Sequence, residues 1–305
     1  PYLMVMTSGE TDQTNADHSY RFAGDTGANY SERYYFNGGS TGTQTGITFI
    51  CPLGTTANQP FFDWCIVAND GSGHNENLIN GHGVQSQGSG ASASVTRNEY
   101  TGKHSTSSVL DEVEALTTQS GGGVFDYLSG TEVVVLGYDP ADADENGFWQ
   151  QLANVEFTST ADTYATGTFD AKKYLFFQGW VEGSGATELC LRVNGDTASN
   201  YTNRRNNDGS ETDFTSQAFF KCNASGASNV DITYMYGYAC QVEGETTLNR
   251  MFIMQQNSGQ GLGDAPRRSS SAGKWASTDP ITSLQFFNNS TGDFVKGQIA
   301  VWGND

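Results

Sequence analysis

The sequence holds few prolines and few basic residues: 6 prolines and 15 Lys and Arg among 305 residues. It has no Cys-x-x-Cys pair, no apolar run of membrane-spanning length and no basic-then-apolar leader at its start. Each absence removes a class of function. With 34 acidic residues and a net charge of −19, the surface repels nucleic-acid phosphate, so no nucleic-acid partner is expected. Without a spanning run or leader the chain is expected to be soluble, with no membrane partner. Without paired cysteines a zinc site is not expected. No His-x-x-x-His or His-Glu-x-x-His spacing occurs, and the histidines give no positive sign of catalysis.

Glycine is abundant, at 37 residues, and aromatics make up 12%. Short aromatic and β-branched runs alternate with Gly, Asn, Ser and Asp clusters, the pattern of a folded all-β protein rather than a disordered one. A hydrophobic content of 36% suffices for two thin sandwich cores, and the length predicts two domains. The acidic balance is first a device for solubility. An ion-rich environment, where screening shortens the repulsion, is the weaker reading. The five cysteines are Cys51, Cys65, Cys190, Cys222 and Cys240. Free buried thiols are favoured, with disulfides Cys51–Cys65 or Cys222–Cys240 left open.

An internal repeat organises the chain. Arg21, Gly24, Asp25, Thr26, Asn29, Tyr30 and Arg33 match Arg192, Gly195, Asp196, Thr197, Asn200, Tyr201 and Arg204 at an offset of 171. The same offset relates Gly38 to Gly209, Thr41 to Thr212, Phe49 to Phe220, Cys51 to Cys222 and Gly102-Lys103 to Gly273-Lys274. Both copies close on an apolar run between glycines, Gly130–Asp139 and Gly297–Asp305, the second shorter by one residue. The implied division is a first repeat over 1–139, a linker over 140–152 and a second repeat over 153–305.

The copies differ at their starts. Tyr2–Met6 aligns with Tyr174–Gln178, but about twenty residues before Tyr174 have no counterpart before Tyr2. They read as two short strands near 154–160 and 163–170. The first repeat is therefore expected to lack its leading strands and to receive them from a neighbouring subunit or module by strand addition. Other strands of the second repeat are expected near 174–182, 187–194, 216–222, 229–241, 248–255, 281–288 and 297–302. Those of the first are expected near 2–6, 18–23, 46–51, 61–68, 77–84, 108–116 and 131–136. The stretch Val109–Leu116 has helical propensity, but its counterpart Ile281–Phe287 alternates, so both are taken as strands. The fold class is all-β, two tandem jelly-roll-like antiparallel β-sandwich modules.

Four motifs together carry a resemblance: Phe169–Leu175 (F-x-A-K-K-Y-L), Arg192–Arg204 (R-x-N-G-D-T-x-x-N-Y-x-x-R), Gly273–Ala276 (G-K-W-A) and Gly297–Asp305. They resemble repeat modules of tailed-bacteriophage virion structural proteins, common in marine phages including those of cyanobacteria. The first copy matches at Arg21–Arg33, Gly102-Lys103 and Gly130–Asp139. It departs at Phe22-Ala23, where the family has Phe-Asn, and at His104, where it has Trp. The resemblance implies a non-enzymatic structural role on the virion, as a fibre, tail or surface component assembled in several copies with itself and other virion proteins. A capsid decoration protein is the alternative within that class.

The remaining motifs have competing readings. Gly24–Tyr30 lacks the Gly-Lys-Ser/Thr of a phosphate loop and reads as a turn. Arg21 and Arg33 flank Asp25 as Arg192 and Arg204 flank Asp196, so an Arg–Asp pair is expected to pin the turn, with Asp25 or Asn29 bonding nearby backbone. Ligand binding by this loop is the other reading. Asp142, Asp144 and Asn146 match the first half of a calcium loop, but Ala153 stands where the bidentate Glu belongs. An acidic linker competes there with calcium bridging the modules; no other cofactor is implied. His18, His74, His82 and His104 all lie in the first copy, and the metal or general-base reading of them is minor. The sequons at Asn29, Asn200, Asn223, Asn288 and Asn289 would be inert in a phage protein. A host-glycan-binding module is kept as a different class, with Trp64, Trp275 or Tyr30 as groove residues. A depolymerase with paired carboxylates is a third.

Overall fold

A computed structural model describes residues 2–14, 16–37, 41–46, 49–51, 56–68, 77–105, 110–118, 126–138, 148–222, 232–241, 249–259 and 267–305. Among them no helix is long and apolar enough to cross a membrane. The chain divides into two compact units, one of Pro1–Gly88 with Thr96–Gly147, the other of Ser89–Val95 with Phe148–Asp305.

The first unit contains β1 (Tyr2–Gly9), β2 (Asp17–Phe22), β3 (Tyr30–Phe36), β4 (Thr41–Gly46), β5 (Phe49–Cys51), β6 (Phe61–Ala68), β7 (Asn77–Ser86), β8 (Val95–His104), β9 (Val113–Thr118) and β10 (Glu132–Tyr138). They form a seven-stranded sheet ordered β10-β1-β6-β7-β8-β3-β4 and a three-stranded sheet ordered β5-β2-β9. Val5, Tyr30, Cys65, Val67, Ile79 and Tyr100 of the larger sheet share one core with Tyr20 and Phe22 of the smaller. Inside it, Asp63 Oδ2 accepts bonds from Tyr20 at 3.0 Å and Tyr100 at 2.6 Å. A buried carboxylate needs such donors.

The second unit contains β11 (Gln150–Phe157), β12 (Thr163–Ala165), β13 (Tyr174–Gly183), β14 (Leu189–Val193), β15 (Tyr201–Asn207), β16 (Ser210–Gln217), β17 (Phe220–Lys221), β18 (Ile232–Cys240), β19 (Arg250–Ser258), β20 (Arg267–Trp275), β21 (Leu284–Asn288) and β22 (Phe294–Asn304). They form an eight-stranded sheet, β11-β22-β13-β18-β19-β20-β15-β16, and a four-stranded sheet, β12-β21-β14-β17. Strand β13 shows why: Leu175, Phe177 and Val181 enter the core while Phe176, Gln178 and Trp180 face outward, the period of two a half-buried strand requires. Core residues come from both sheets, among them Phe177, Val301, Leu191 and Phe286.

The two strand orders are one order. If β11 and β12 are removed, each strand of the second unit has a counterpart at the same place in the first, from β22 and β10 at one edge to β16 and β4 at the other. In the smaller sheet β21, β14 and β17 correspond to β9, β2 and β5. The strand pairings are antiparallel among the described residues; Met4 faces Leu136 as Phe176 faces Trp302. The fold is thus all-β, built from several antiparallel sheets. Val113–Leu116 and Leu284–Phe287 lie in strands β9 and β21, as the repeat implied, while Val109 lies outside the described residues.

Six strands had no counterpart in the sequence reading: β3, β4 and β8 in the first unit, and β15, β20 and most of β16 in the second. Their sequences explain this. Strand β20 opens Arg-Arg-Ser-Ser-Ser and β15 reads Tyr-Thr-Asn-Arg-Arg-Asn-Asn. Ser269, Ser270 and Ser271 are buried by close packing of small side chains, not by hydrophobicity. Strand β11 begins at Gln150, inside the stretch expected as linker.

Cys65, Cys190, Cys222 and Cys240 are buried and free, so neither disulfide left open by the sequence forms. Burial pushes the Cys222 thiol up to about 12 and those of Cys65 and Cys190 well above the usual thiol range. These are inert core groups.

Candidate functional site

The repeated turn leaves β2 in one unit and β14 in the other. Its backbone is the same in both. Ala23 and Gly24 have φ of 52° and 61°, and Asn194 and Gly195 have 53° and 65°. This left-handed pair reverses the chain, and glycine adopts it without cost. Tyr30 Oη accepts the Phe22 N–H at 2.9 Å and donates back to the Phe22 carbonyl at 3.1 Å. Tyr201 repeats this on Val193 at 3.0 and 3.1 Å.

The carboxylate of the turn is satisfied identically in both copies. Asp25 Oδ1 accepts the Gly27 N–H at 2.7 Å, and Asp196 Oδ1 accepts the Ala198 N–H at 2.8 Å. Asn29 Nδ2 donates to Asp25 Oδ2 at 2.8 Å, and Asn200 Nδ2 donates to Asp196 Oδ2 at 2.9 Å. A ring N–H completes each set: His104 Nε2 lies 2.8 Å from Asp25 Oδ2, and Trp275 Nε1 lies 2.7 Å from Asp196 Oδ2. The Asn29 amide, His104 and the Gly27 N–H pull the Asp25 carboxyl down to about 2. Burial pushes the Asp196 carboxyl up, but the bonds from Trp275, Asn200 and Ala198 outweigh it and hold it below its ordinary value.

This corrects the expected Arg–Asp pin. Arg21 pairs with Glu114 at 2.7 Å, its cross-strand neighbour on β9. At the equivalent place Arg192 faces Gln285, and its guanidinium lies 3.7 Å from the centre of the Phe287 ring. Arg204 makes a two-pronged bond to Asp213 at 2.6 and 2.7 Å on the adjacent strand β16. Arg33 is exposed opposite Thr43. The arginines sit on strands whose side chains meet the next strand, so they serve sheet pairing, while amides and ring N–H groups hold the turn. The offset of 171 that relates His104 to Trp275 was the sequence signal for this partner.

The other expected site residues that are described are not brought together. Asp142, Asp144 and Asn146 lie outside the described residues, as does His74. His18 is buried, with Nδ1 2.6 Å from the Tyr127 hydroxyl, which donates to the Leu116 carbonyl. His82 stacks on Trp64 with ring centres 5.3 Å apart. Among the described residues no three His, Cys, Asp or Glu side chains come together to hold a metal ion. Trp64, Trp275 and Tyr30, expected as groove residues, are buried at 5%, 1% and 2% exposure. They pack inside the fold.

Two surface features emerge instead. On the outer face of the second unit's large sheet, Trp180, Trp302 and Tyr234 line a groove of about 210 Å³ with Gln178, Gln298 and Asn154. Tyr234 Oη donates to Gln178 Oε1 at 3.0 Å and Gln298 Nε2 to Asn154 Oδ1 at 2.9 Å, which fixes the amides between the rings. The alternation Phe176-x-Gln178-x-Trp180 on β13 and Tyr234-x-Tyr236-x-Tyr238 on β18 was its signal in the sequence.

The second feature is an open edge. Strand β22 is paired on both sides, by β11 and β13, whereas its counterpart β10 pairs only with β1 among the described residues. Likewise β21 lies between β12 and β14, whereas β9 pairs only with β2. Ile299 and Val301 of β22 are fully buried, whereas Val133 and Val135, at the same places on β10, are 37% and 44% exposed.

No family model matches the chain, and no curated protein matches it. A solved structure of the mouse laminin alpha1 chain, domains LG4-5, aligns over 98% of this chain and 80% of that one, at 12% identity and a TM-score of 0.19. A superposition that loose carries no argument about fold or function.

Proposed function

We propose that this chain is a non-enzymatic structural protein of a tailed-bacteriophage virion, a fibre, tail or surface component that works in several copies. One observation carries the reading: two tandem modules share a single strand order, the second carrying the strand pair β11 and β12 in addition among the described residues. Tandem copies of one antiparallel module suit a protein that assembles in several copies. Each module is read as a jelly-roll-like sandwich, its two sheets packed on a shared core. The side chains with catalytic chemistry in the repeated turn are committed to holding that turn, which supports a structural role. The phage assignment rests on the motif resemblance, and a virion surface location follows from it. Capsid decoration remains the variant of this reading that the acidic surface suits equally. Immunogold labelling of banded virions with antibody against the chain tests it: discrete labelling at the tail or head is expected. Recovery of the chain only in the particle-free lysate would refute it.

Host-glycan recognition is a second reading, favoured by the groove of Trp180, Trp302 and Tyr234. Indole faces set beside oriented amides suit the apolar face and hydroxyl rim of a neutral sugar. A glycan array probed with the wild type and with Trp180→Ala and Trp302→Ala tests it. Loss of a wild-type signal in both variants is expected, and a blank wild-type array would rule it out.

A further inference from the structure

The outer face of the second unit's small sheet carries a group of cations and rings that the first unit lacks. Leu191, Phe220 and Phe286 enter the core. Their chain neighbours Arg192, Lys221, Phe219 and Phe287 therefore face outward, since side chains alternate along a strand. All four are half-buried. The Arg192 guanidinium lies 3.7 Å from the centre of the Phe287 ring and 5.8 Å from that of Phe219. The Lys221 ammonium lies 5.2 Å from the centre of the Phe214 ring and 5.9 Å from that of Phe219. Phe219 and Phe287 themselves meet at 5.4 Å. Both cations thus border the Phe219 ring, each with a second ring beside it.

These cations have no acid beside them. Among the described residues neither Arg192 nor Lys221 meets a carboxylate at ion-pair distance. Arg192 Nε donates to the Ala218 carbonyl at 3.3 Å, which leaves its two Nη groups without a hydrogen bond among those residues. Glu188, the acid just ahead of β14, is buried, and its Oε2 accepts from Asn289 at 2.8 Å. The first unit shows what was exchanged. There Arg21 faces Glu114 and pairs with it at 2.7 Å, whereas Arg192 faces Gln285 at the same place. Leu116, Ile50, Thr48 and Thr43 stand in the first repeat where Phe287, Lys221, Phe219 and Phe214 stand in the second. One copy of the fold closes its arginine with a carboxylate. The other removes the carboxylate, adds a second cation and sets rings against both. A ring face holds a cation without supplying a counter-charge. The second unit thus keeps two positive donors unneutralised on a protein of net charge −19.

We propose that Arg192 and Lys221 form a binding site for an acidic sugar, a uronate carboxylate carried on an otherwise neutral glycan strand. The carboxylate meets the Arg192 Nη groups, whose planar fork suits it, and Lys221 adds a point charge. The half-exposed Gln285 amide, opposite Arg192, offers a donor and an acceptor to a neighbouring hydroxyl. Charge selects the glycan over an acidic protein. Two cations match one isolated carboxylate. A folded acidic partner, or a second copy of this chain, brings many more and meets the repulsion of the acidic surface around the patch. The site is separate from the groove of Trp180 and Trp302, which lies on the large sheet and is lined by neutral residues. It rests on neither the virion assignment nor that groove, so each can fail without the others.

Calorimetric titration of the full chain with a hyaluronan hexasaccharide, which alternates glucuronate with neutral N-acetylglucosamine, is the test. Saturable binding that weakens as salt rises is expected. The same hexasaccharide with its carboxylates methyl-esterified should not bind. Lys221→Gln should weaken binding about tenfold, the loss of one charge-assisted contact, while leaving the circular dichroism spectrum intact. Gln285→Glu should weaken it as much without removing a cation, because it gives Arg192 the carboxylate that Glu114 gives Arg21. Trp180→Ala, in the groove, should leave binding unchanged. Four outcomes would overturn the proposal. One is an absence of saturable binding by the acid form. Another is equal binding of the ester. A third is equal affinity for a poly-glutamate peptide, which would make an acidic peptide the occupant. The last is binding lost in Trp180→Ala and kept in Gln285→Glu, which would place the sugar in the groove.

Discussion

His104 Nε2 meets Asp25 Oδ2 at 2.8 Å in the place where Trp275 Nε1 meets Asp196 Oδ2 at 2.7 Å. Two different rings thus present an N–H to the same carboxylate oxygen of one repeated turn. The exchange is tolerated because the turn requires a planar donor at that point, and both rings provide one. Tyr30 stacks on His104 at 4.5 Å, so the smaller ring still fills the site.

Replacing either carboxylate should therefore cost more than a surface change. In Asp196→Ala, the Trp275 indole, the Asn200 amide and the Ala198 N–H lose their acceptor. Each buried donor left without a partner costs about 1–3 kcal/mol, and the Trp275 ring is almost fully buried. A loss of about 2–4 kcal/mol is expected by denaturant unfolding of the full chain. Asp25→Ala should destabilise the first unit in the same sense. Acid should do so too. The folded Asp25 pKa, about 2, lies below the ordinary 3.8, so its stabilisation is complete above pH 4 and is lost as pH falls toward 2. An Asp25 carboxyl that titrates by NMR at its ordinary value would refute this account.

His18 sets a second and higher acid limit. Burial holds its pKa down to about 3, against 6.5 for a free imidazole. The unfolded chain therefore binds a proton that the folded chain refuses between pH 6.5 and 3, and stability falls as pH drops through that window. The second repeat has no histidine. Between pH 6 and 4 the first unit should thus lose hydrogen-exchange protection well before the second. His18→Phe keeps a ring against Tyr20 and Phe61 and should flatten the pH slope by about one proton. An unchanged slope would move the acid sensitivity elsewhere.

The contrast between strands explains what the sequence revealed. Strand β13 announces itself because Leu175, Phe177 and Val181 alternate with outward residues. Strands β15 and β20 are silent because Asn203, Ser269 and Ser271 are buried by hydrogen bonding and small size. Alternating hydrophobicity cannot show that. Strands β11 and β12 were legible because their residues alternate ahead of Tyr174. The partner of Asp25 was not, because charge pairing favours Arg on paper while β-pairing turns Arg21 toward Glu114 in space. The aromatic groove is hard to read from sequence because its rings lie on three strands that only the fold brings together.

A non-glycine residue at the first left-handed position separates the copies. Asn194 holds φ of 53° and its Oδ1 accepts the Thr282 and Ser283 N–H groups at 2.9 and 3.0 Å. Ala23 holds φ of 52° with no side chain to compensate. Asparagine tolerates this region better than alanine. Ala23→Asn is expected to stabilise the first unit by up to about 1 kcal/mol. Asn194→Ala should cost the second unit about 1–3 kcal/mol through the orphaned N–H groups. Equal and small effects in thermal unfolding would show that the turn is held by its carboxylate alone.

The same truncation at equivalent positions should have unequal cost. Val301 is fully buried between β11 and the facing sheet, and Val135 is 44% exposed at the open edge. Removing two methyl groups from a closed core loses their transfer free energy and leaves a cavity, so Val301→Ala should cost about 2–3 kcal/mol. At Val135 part of the surface already meets water and no cavity forms, so Val135→Ala should cost under about 1 kcal/mol. The comparison reads out the state of the edge. Once residues 150–173 are grafted ahead of Tyr2, the cost of Val135→Ala should rise toward that of Val301→Ala, because the graft encloses the same side chain. A Val135→Ala cost that stays low in the grafted chain would mean the graft does not close the core, and that likeness of strand order does not extend to likeness of packing.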